Sequence, residues 1–206
     1  MEKRCYIAGA GEFCGSELPQ QGDYVIAADG GYTALAKRGI EPDMLVGDFD
    51  SLSEIPKHSN IKTSPVEKDD TDMMLAVQEG LKLGYNYFIL NGGLGGRFDH
   101  TLANIQILSY LAENKVRGTL VGNNERITVI CNDEIIIDSG MADISNGRLL
   151  SIFSAGDVAS GVTLTGLKYS LENATLTNIS PMGCSNEFTG IPATISVKDG
   201  TLIIVM

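Results

Sequence analysis

Short apolar runs that end in glycine, aspartate or asparagine recur through the first half of the chain. Each run has the length of a strand buried on both faces, and some of the segments between them have helical apolar spacing. Strands that alternate with helices form a parallel sheet, because each parallel pair needs a long crossover. The predicted strands are residues 5–8, 24–28, 44–46 and 87–90, and the predicted helices are 32–38, 73–83 and 101–113.

Two of these helices are predicted to turn one apolar stripe toward a core. The stripes are Met73, Val77 and Leu81 in the first, and Leu102, Ile105 and Leu108 in the second.

The second half has a different pattern, with short β-branched runs separated by turn residues such as Asn146-Gly147 and Asp199-Gly200. No helical pattern follows residue 124. We therefore predict an α/β domain over residues 1–123, with a mainly parallel, doubly wound, Rossmann-like sheet, and an all-β sandwich over 124–206. The predicted strands of the sandwich are 126–130, 135–138, 149–153, 162–165, 193–197 and 201–205.

The net charge and the distribution of apolar residues exclude several classes of binding partner and cellular location. The 206 residues hold 15 Lys and Arg against 26 Asp and Glu, a net charge of −11. Nucleic acids and anionic membrane surfaces attract basic proteins, so neither is expected as a partner. No apolar run reaches the roughly 18 residues of a membrane span, and the N-terminus lacks the pattern of a signal peptide. With four scattered cysteines and no C-x-x-C pair, we expect reduced thiols and a cytoplasmic protein.

Two groups of aspartates indicate chemistry that involves a cation. Asp48 and Asp50 follow a predicted strand and would point to one face of an extended backbone. Asp69, Asp70 and Asp72 precede the helix 73–83, which Thr71 or Asp72 could cap. Capping explains one or two of these acids, whereas the mutual repulsion of the others favours a bound cation such as Mg²⁺ or the neighbouring Lys68 as a partner. Solvated turn residues are the alternative interpretation.

Glycine-rich turns provide a complementary signal for anions. Gly92, Gly93, Gly95 and Gly96 lie between a predicted strand and a predicted helix, and Arg97 follows them. Such a turn lets backbone N–H groups approach a phosphate, and an arginine binds phosphate through two hydrogen bonds. A simple helix start with Asp99 and His100 on its surface is the alternative.

The location that these segments share favours a binding site over the interpretation that they are only helix caps and turns. In an open parallel sheet, ligands bind beyond the carboxyl ends of the strands. The segments at residues 28–31, 47–51, 68–72 and 91–100 are all predicted to lie at such ends, so these four turns would converge on one crevice if the domain is doubly wound. Carboxylates for Mg²⁺, an arginine and glycine-rich amides together indicate phosphoryl transfer or phosphate-ester hydrolysis.

The order of these motifs resembles the thiamine pyrophosphokinase family. The resemblance extends over nearly the whole chain, through A-D-G-G at 28–31, G-D-F-D-S at 47–51, K-D-D-T-D at 68–72, G-G-R-F-D-H at 95–100, G-L-K-Y at 166–169 and C-S-N-E at 184–187. It implies an α/β domain, a β-sandwich, a homodimer, and transfer of pyrophosphate from ATP to the hydroxyl of thiamine, giving thiamine diphosphate and AMP.

The resemblance also implies roles for single residues. Asp48, Asp50 and Asp72 would bind Mg²⁺, with Asp69 close by. Asp29, Arg97 and Asp99 would line the nucleotide and phosphate site. Ser185 and Asn186 would hold the aminopyrimidine of thiamine and Tyr169 would stack on it, in a site formed between two subunits. The residues assigned to catalysis are Asp48, Asp50, Asp72, Arg97 and Asp99, and those assigned to ATP are Asp29, Gly30, Gly31, Asp69, Gly92, Gly93, Gly96, Arg97 and His100.

Two other functions remain open at this point. The motifs of the first half also fit a Mg²⁺-dependent hydrolase of nucleotides or phosphate esters, with water as the nucleophile. A thiamine-binding sensor on the same fold is the second. A dedicated acceptor pocket in the β half favours a transferase over the hydrolase.

Overall fold

The computed structural model describes residues 2–48, 58–63 and 70–206. Strands are interspersed with helices up to β6, and only strands follow. In chain order the elements are β1 Arg4–Ala8, β2 Tyr24–Ala28, α1 Gly31–Ala36, β3 Met44–Gly47, β4 Ile61–Thr63, α2 Asp72–Lys82, β5 Tyr87–Asn91, α3 Phe98–Glu113, β6 Arg117–Val121, β7 Arg126–Cys131, β8 Glu134–Ile137, β9 Leu149–Ser154, β10 Val158–Thr165, β11 Leu171–Thr177, β12 Asn186–Glu187, β13 Ala193–Ser196 and β14 Thr201–Val205.

The chain divides into two compact units. The first contains the described residues up to Ile107 together with Gly118–Asn124, and the second contains Leu108–Arg117 and Glu125–Met206. The second unit thus includes the end of α3 and the turn that follows it. Assigning ATP to residues 1–123 and thiamine to residues 124–206 stays a prediction.

The first unit is built on strands in the order β6-β5-β1-β2-β3-β4. β1 pairs in parallel with both β5 and β2, and β3 pairs in parallel with β2 and β4. Side chains on both faces of β1 are fully buried, as expected for a covered parallel sheet. Leu35 of α1 packs with Tyr6 on one face, whereas Gly80 of α2 lies against Cys5 and Phe88 on the other.

The second unit is entirely antiparallel in its strand pairs. Within this unit, the strands β12-β9-β14-β7 are hydrogen-bonded neighbours in that order, and β11-β10-β13-β8 form a separate four-stranded sheet. Residues from both sheets form one apolar core, including Ile130, Leu150 and Leu202 from the first and Val162 and Ile195 from the second. No helix begins within residues 124–206, all of which the structure describes.

The predicted change from strands interspersed with helices to strands alone is therefore confirmed. The domain boundary at residue 123 stays a prediction. The more exact description of the first sheet as doubly wound and Rossmann-like stays a prediction. The prediction omitted four strands, namely β4, β6, β11 and β12. Three of them are short or carry many exposed residues, so they lack a strong apolar signal.

The apolar stripe predicted for α3 is wrong in one part. Leu102 is 49% exposed, and the buried face of the helix carries Asn104, Ile107, Leu108 and Leu111. The polar Asn104 belongs to this inner face because it binds a backbone carbonyl there, at Gly93. The prediction counted only apolar residues, so it did not include a buried asparagine. The predicted buried face of α3 is therefore rotated about the helix axis relative to the observed one.

Two further expectations concern the thiols and the membrane. All four cysteines are free thiols. Burial raises the pKa of the Cys5 thiol far above its ordinary value. In the described part of the chain, no helix has both the length and the apolar character needed to cross a membrane.

Candidate active site

A cleft of about 460 Å³ opens in the first unit, beyond the carboxyl ends of β1, β2 and β5. The amino ends of α2 and α3 contribute to its wall. This is the position at which open parallel sheets bind ligands. The cleft is lined by Gly9, Ala10, Gly11, Ala28, Asp29, Thr71, Asp72, Met73, Gly92, Gly93, Gly95, Gly96, Arg97, His100 and Asn104.

Two glycine segments run side by side along this cleft. Gly9 N donates to Asn91 O at 2.7 Å, and Gly11 N donates to Gly92 O at 2.9 Å. Gly92 has φ +74°, and a Cβ attached to it would lie 2.4 Å from Gly9 O. Only glycine allows this conformation at this distance without a shift of the backbone. The backbone itself therefore forms part of the cleft wall.

Replacing Gly92 with alanine should lower the free energy of unfolding by about 3 kcal/mol, since overpacking adds to the cost of a positive φ. Gly39→Ala is the matched control, because Gly39 has φ +68° but an alanine methyl group there would have no atom of the described residues within 4 Å, apart from its own chain neighbours. In the control variant the free energy of unfolding should fall by about 1 kcal/mol. Urea unfolding of both variants measures the difference, and equal losses would show that the contact with Gly9 carries no weight.

Asn91 fixes the loop that follows β1. Its side chain is fully buried. Its Oδ1 accepts from Cys14 N at 2.8 Å, and its Nδ2 donates to Tyr6 Oη, Cys14 O and Glu17 O at 2.7 to 3.0 Å. The amide thus ties the end of β5 to residues 14 and 17, beyond the glycines that line the cleft. The sequence analysis did not assign it a role.

Asn91→Ala should lower the free energy of unfolding by about 3 kcal/mol, because it leaves buried backbone groups of Cys14 without a partner. Asn86→Ala is the control, since exposed Asn86 also accepts a backbone hydrogen bond, from Lys3 N at 2.8 Å. For Asn86→Ala we expect the free energy of unfolding to fall by less than about 1 kcal/mol. Urea unfolding measures both. A loss at Asn91 no larger than that at Asn86 would contradict this account of the loop.

The first turn of α2 contributes one of the predicted carboxylates. Of the two candidate caps, Thr71 and Asp72, Thr71 is the N-cap, and its Oγ1 accepts from Met74 N at 3.2 Å. Asp72 begins the helix and lines the cleft, and Met73 is buried beneath it. The positive end of the helix dipole also favours an anionic ligand at this position.

The ends of β2 and β3 are packed together. Asp29 has φ +47°, a left-handed conformation that aspartate tolerates better than most residues. Asp29 N donates to Val46 O at 2.8 Å, and a Cβ attached to Gly47 would lie 3.3 Å from the Asp29 Cα. Asp29 lines the cleft, and the half-buried Asp48 follows Gly47 directly. β3 therefore ends close to the site.

The predicted magnesium ligands are only partly within the described ranges. Asp48 and Asp72 are described, whereas Asp50 and the neighbouring Asp69 lie outside the described residues. Within residues 2–48, 58–63 and 70–206, no group of three or more acids, histidines or cysteines converges on a metal position. The carboxylates of Asp29 and Asp72 on the cleft wall are nevertheless hard oxygen donors of the type that Mg²⁺ prefers.

The amino end of α3 carries an exposed ion pair. Arg97 Nη2 donates to Asp99 Oδ2 at 2.6 Å, and Arg97 Nε donates to Asp99 Oδ1 at 3.2 Å. These hydrogen bonds lower the pKa of Asp99 and raise that of Arg97. His100 N also donates to Asp99 Oδ1 at 3.0 Å. The carboxylate thereby orients the guanidinium at the edge of a cleft that Arg97 and His100 both line.

Asn104 lines the cleft and belongs to none of the motifs found in the sequence. It lies one turn after His100 on α3 and is 5% exposed. Its Nδ2 donates to Gly93 O at 2.9 Å, which holds the glycine turn against the helix. An asparagine four residues after the histidine was the available signal, but nothing in the sequence related it to Gly93.

The cleft brings together most of the residues assigned to ATP and to catalysis. Gly31 lies elsewhere and has a packing role, because a Cβ attached to it would lie 1.9 Å from Ala8 O. The assigned residues on the cleft wall are Asp29, Asp72, Gly92, Gly93, Gly96, Arg97 and His100. The described residues of the assignment that are not on this wall are Gly30, Gly31, Asp48 and Asp99.

The residues assigned to thiamine lie together in the second unit. The segment after β10 meets β12, where Lys168 N donates to Glu187 O at 2.9 Å. Tyr169 is 58% exposed. Ser185 is exposed, with φ +58°, and its backbone N donates to Ser151 Oγ at 3.0 Å. Asn186 is buried and is hydrogen-bonded to the backbone of Tyr169.

Comparison with known protein families gives two matches in chain order. The family described as "Thiamin pyrophosphokinase, catalytic domain" matches residues 16–120. The one described as "Thiamin pyrophosphokinase, vitamin B1 binding domain" matches residues 134–202. The cleft lies mainly within the first range, and Tyr169, Ser185 and Asn186 lie within the second.

Individual relatives support the same assignment. Thiamine pyrophosphokinase of Bacillus subtilis is 32% identical over 186 residues, which are 87% of this chain and 85% of that protein. A crystal structure of thiamine pyrophosphokinase from B. subtilis superposes with a TM-score of 0.86 at 29% identity, covering 98% of each chain. A thiamin pyrophosphokinase family protein from Enterococcus faecalis superposes with a TM-score of 0.80 at 27% identity, covering 99% of this chain and 98% of that chain.

Neither the hydrolase nor the sensor finds support in these comparisons. The sequence resemblance is confirmed, and both matched domains are present in the chain. The chain therefore belongs to the thiamin pyrophosphokinase family.

Proposed function

We propose that the chain transfers the pyrophosphoryl group of ATP to the hydroxyl of thiamine, giving thiamine diphosphate and AMP. The observation that carries this proposal is the single cleft that combines glycine backbone, Asp72 at a helix start and Arg97 at another. Backbone N–H groups, a helix dipole and a guanidinium are the groups that stabilise charge on phosphate oxygens.

The reaction is an in-line displacement at the β-phosphorus of ATP. The thiamine oxygen forms a bond to this phosphorus while the bond from it to the bridging oxygen of AMP breaks. The electron pair of the broken bond leaves with AMP, and the hydroxyl proton passes to a carboxylate or to water. A loose transition state of this kind demands little of a general base, so positioning and charge dominate the rate.

Residues around the cleft would divide this work. Arg97 donates to phosphate oxygens as charge develops on them, with Asp99 orienting it. Asp48, Asp50 and Asp72 would hold Mg²⁺, which supplies charge neutralisation to the phosphates when bound. Asp29, Asp69, His100 and the glycine backbone would complete the ATP site.

Thiamine would bind to the second unit through Tyr169, Ser185 and Asn186. The exposed ring of Tyr169 offers a flat face for stacking. A homodimer, in which these residues of one copy serve the cleft of the other, is proposed from the family resemblance alone. A cytoplasmic location also stays a prediction.

Release of AMP tests the function directly. The protein is incubated with ATP and Mg²⁺, with and without thiamine, and the products are identified by mass. We expect AMP in amounts equal to thiamine diphosphate, and only when thiamine is present. AMP or ADP without thiamine would indicate the hydrolase, and saturable thiamine binding without products would indicate the sensor.

A further inference from the structure

The side-chain amide of Asn186 acts as an extra peptide group at the end of β12. Its Oδ1 accepts from Tyr169 N at 3.0 Å and from Glu187 N at 2.9 Å, and its Nδ2 donates to Tyr169 O at 2.8 Å. This assignment of the oxygen and nitrogen is the only one that fits, because a flipped amide would face two N–H donors. Both backbone polar groups of Tyr169 are therefore held by one side chain.

The main-chain pairing between the two segments stops just before Tyr169. Leu167 forms a bridge with Phe188, and Lys168 N donates to Glu187 O at 2.9 Å. At the next residue, Asn186 supplies from its side chain the hydrogen bonds that a strand would supply from its backbone. Tyr169 is thereby fixed at its backbone although its ring is 58% exposed.

A charged pair defines the surroundings of the ring. Lys168 Nζ donates to Glu187 Oε1 at 2.7 Å and lies 5.3 Å from the centroid of the Tyr169 ring. The backbone clamp and this ion pair thus connect the same two segments. An exposed aromatic ring held in this way is prepared for a flat ligand at little cost in entropy.

Asn186 has little capacity left to bind a ligand. The two acceptor positions of its Oδ1 are occupied, one N–H is used, and the residue is only 5% exposed. A direct contact with a substrate would have to use the remaining N–H alone. The geometry therefore favours an indirect role.

We propose that Asn186 is a positioning residue, which contributes to thiamine binding by fixing Tyr169 rather than by holding the aminopyrimidine. The inference rests on the proposed function, because it takes Tyr169 as the stacking residue. It changes the role of Asn186 in that site and makes its effect conditional on the aromatic ring.

A double-mutant cycle between Asn186 and Tyr169 tests this dependence. With saturating ATP, Asn186→Ala should raise the KM for thiamine by about tenfold, with kcat within about twofold. In a Tyr169→Ala background the same change should raise KM by less than about twofold, because there is no ring left to position. An equal increase in both backgrounds would mean that Asn186 binds thiamine itself and would overturn the proposal.

A second measurement does not depend on activity. The chain contains no tryptophan, so Tyr169→Trp introduces a single indole at this position. Without thiamine, Asn186→Ala in this background should lower the fluorescence anisotropy of the indole, because the clamp is lost. Asn186→Asp, which keeps the acceptor and loses the donor to Tyr169 O, should lower it by a smaller amount and serves if the alanine variant does not fold.

Thr189→Val is the matched control for both measurements. Thr189 Oγ1 donates to Gly166 O at 2.8 Å, so it joins the same two segments without touching Tyr169. It should change neither the anisotropy nor the KM for thiamine. Unchanged anisotropy in both Asn186 variants would overturn the proposal. A wild-type protein that makes no thiamine diphosphate would instead contradict the proposed function, whatever the anisotropy.

Discussion

Asp72→Asn is expected to lower the turnover number by at least about a hundredfold at saturating ATP and thiamine, the scale on which a main electrostatic group is lost. The side chain keeps its size but loses the charge that would hold Mg²⁺ on the cleft wall. Thr71 still caps α2, so the free energy of unfolding should fall by less than about 1 kcal/mol. Initial rates of AMP release and urea unfolding measure the two effects.

Asp70→Asn is the matched control for this variant. Asp70 belongs to the same acidic segment, but it is exposed, accepts from Gln78 Nε2 at 3.2 Å and is not on the cleft wall. Its turnover should stay within about twofold of the wild-type value. Similar losses in both variants would mean that the net charge of the segment matters rather than the position of Asp72.

Arg97→Ala is expected to lower turnover by about a hundredfold or more, since it removes the guanidinium that faces developing charge. Arg97→Lys keeps the charge but loses the planar fork, so we expect an intermediate loss of about tenfold. Both residues of the ion pair are largely exposed, so the stability of the fold should change little. Rates at saturating ATP separate this effect from weaker ATP binding.

Asp99→Asn distinguishes the two partners of the ion pair. If Asp99 only orients Arg97, Asp99→Asn should lower the turnover number by about tenfold. In an Arg97→Ala background the same substitution should have almost no effect on turnover. Arg97→Ala with turnover within about twofold of wild type would remove the arginine from the site.

Strand and turn signals in the sequence predicted where the cleft lies. The runs that became β1, β2, β3 and β5 are short and apolar, and each ends in glycine, aspartate or asparagine. Parallel pairing then places their carboxyl ends along one edge, which is why Asp29 and Gly92 line the same cleft. These features follow from local residue patterns and one topological rule.

No sequence pattern of this kind predicted the contacts of the buried asparagines. Asn91 contacts Cys14 and Glu17, which lie 77 and 74 residues away, and Asn104 holds a carbonyl in another segment. The family resemblance named Asn186 as a thiamine residue, but no local pattern related it to the backbone of Tyr169, which precedes it by 17 residues. Polar residues at inner positions are recognised only when the fold has brought their partners to them.

An isotope-labelling experiment that follows one oxygen atom of ATP tests the transfer of pyrophosphate most directly. ATP is prepared with heavy oxygen at the bridge between its α- and β-phosphorus, and the products of one turnover with thiamine are examined by mass. Attack at the β-phosphorus predicts that AMP carries the whole label and that thiamine diphosphate carries none. Label in the thiamine product, or ADP in place of AMP, would contradict the transfer of pyrophosphate proposed for this cleft.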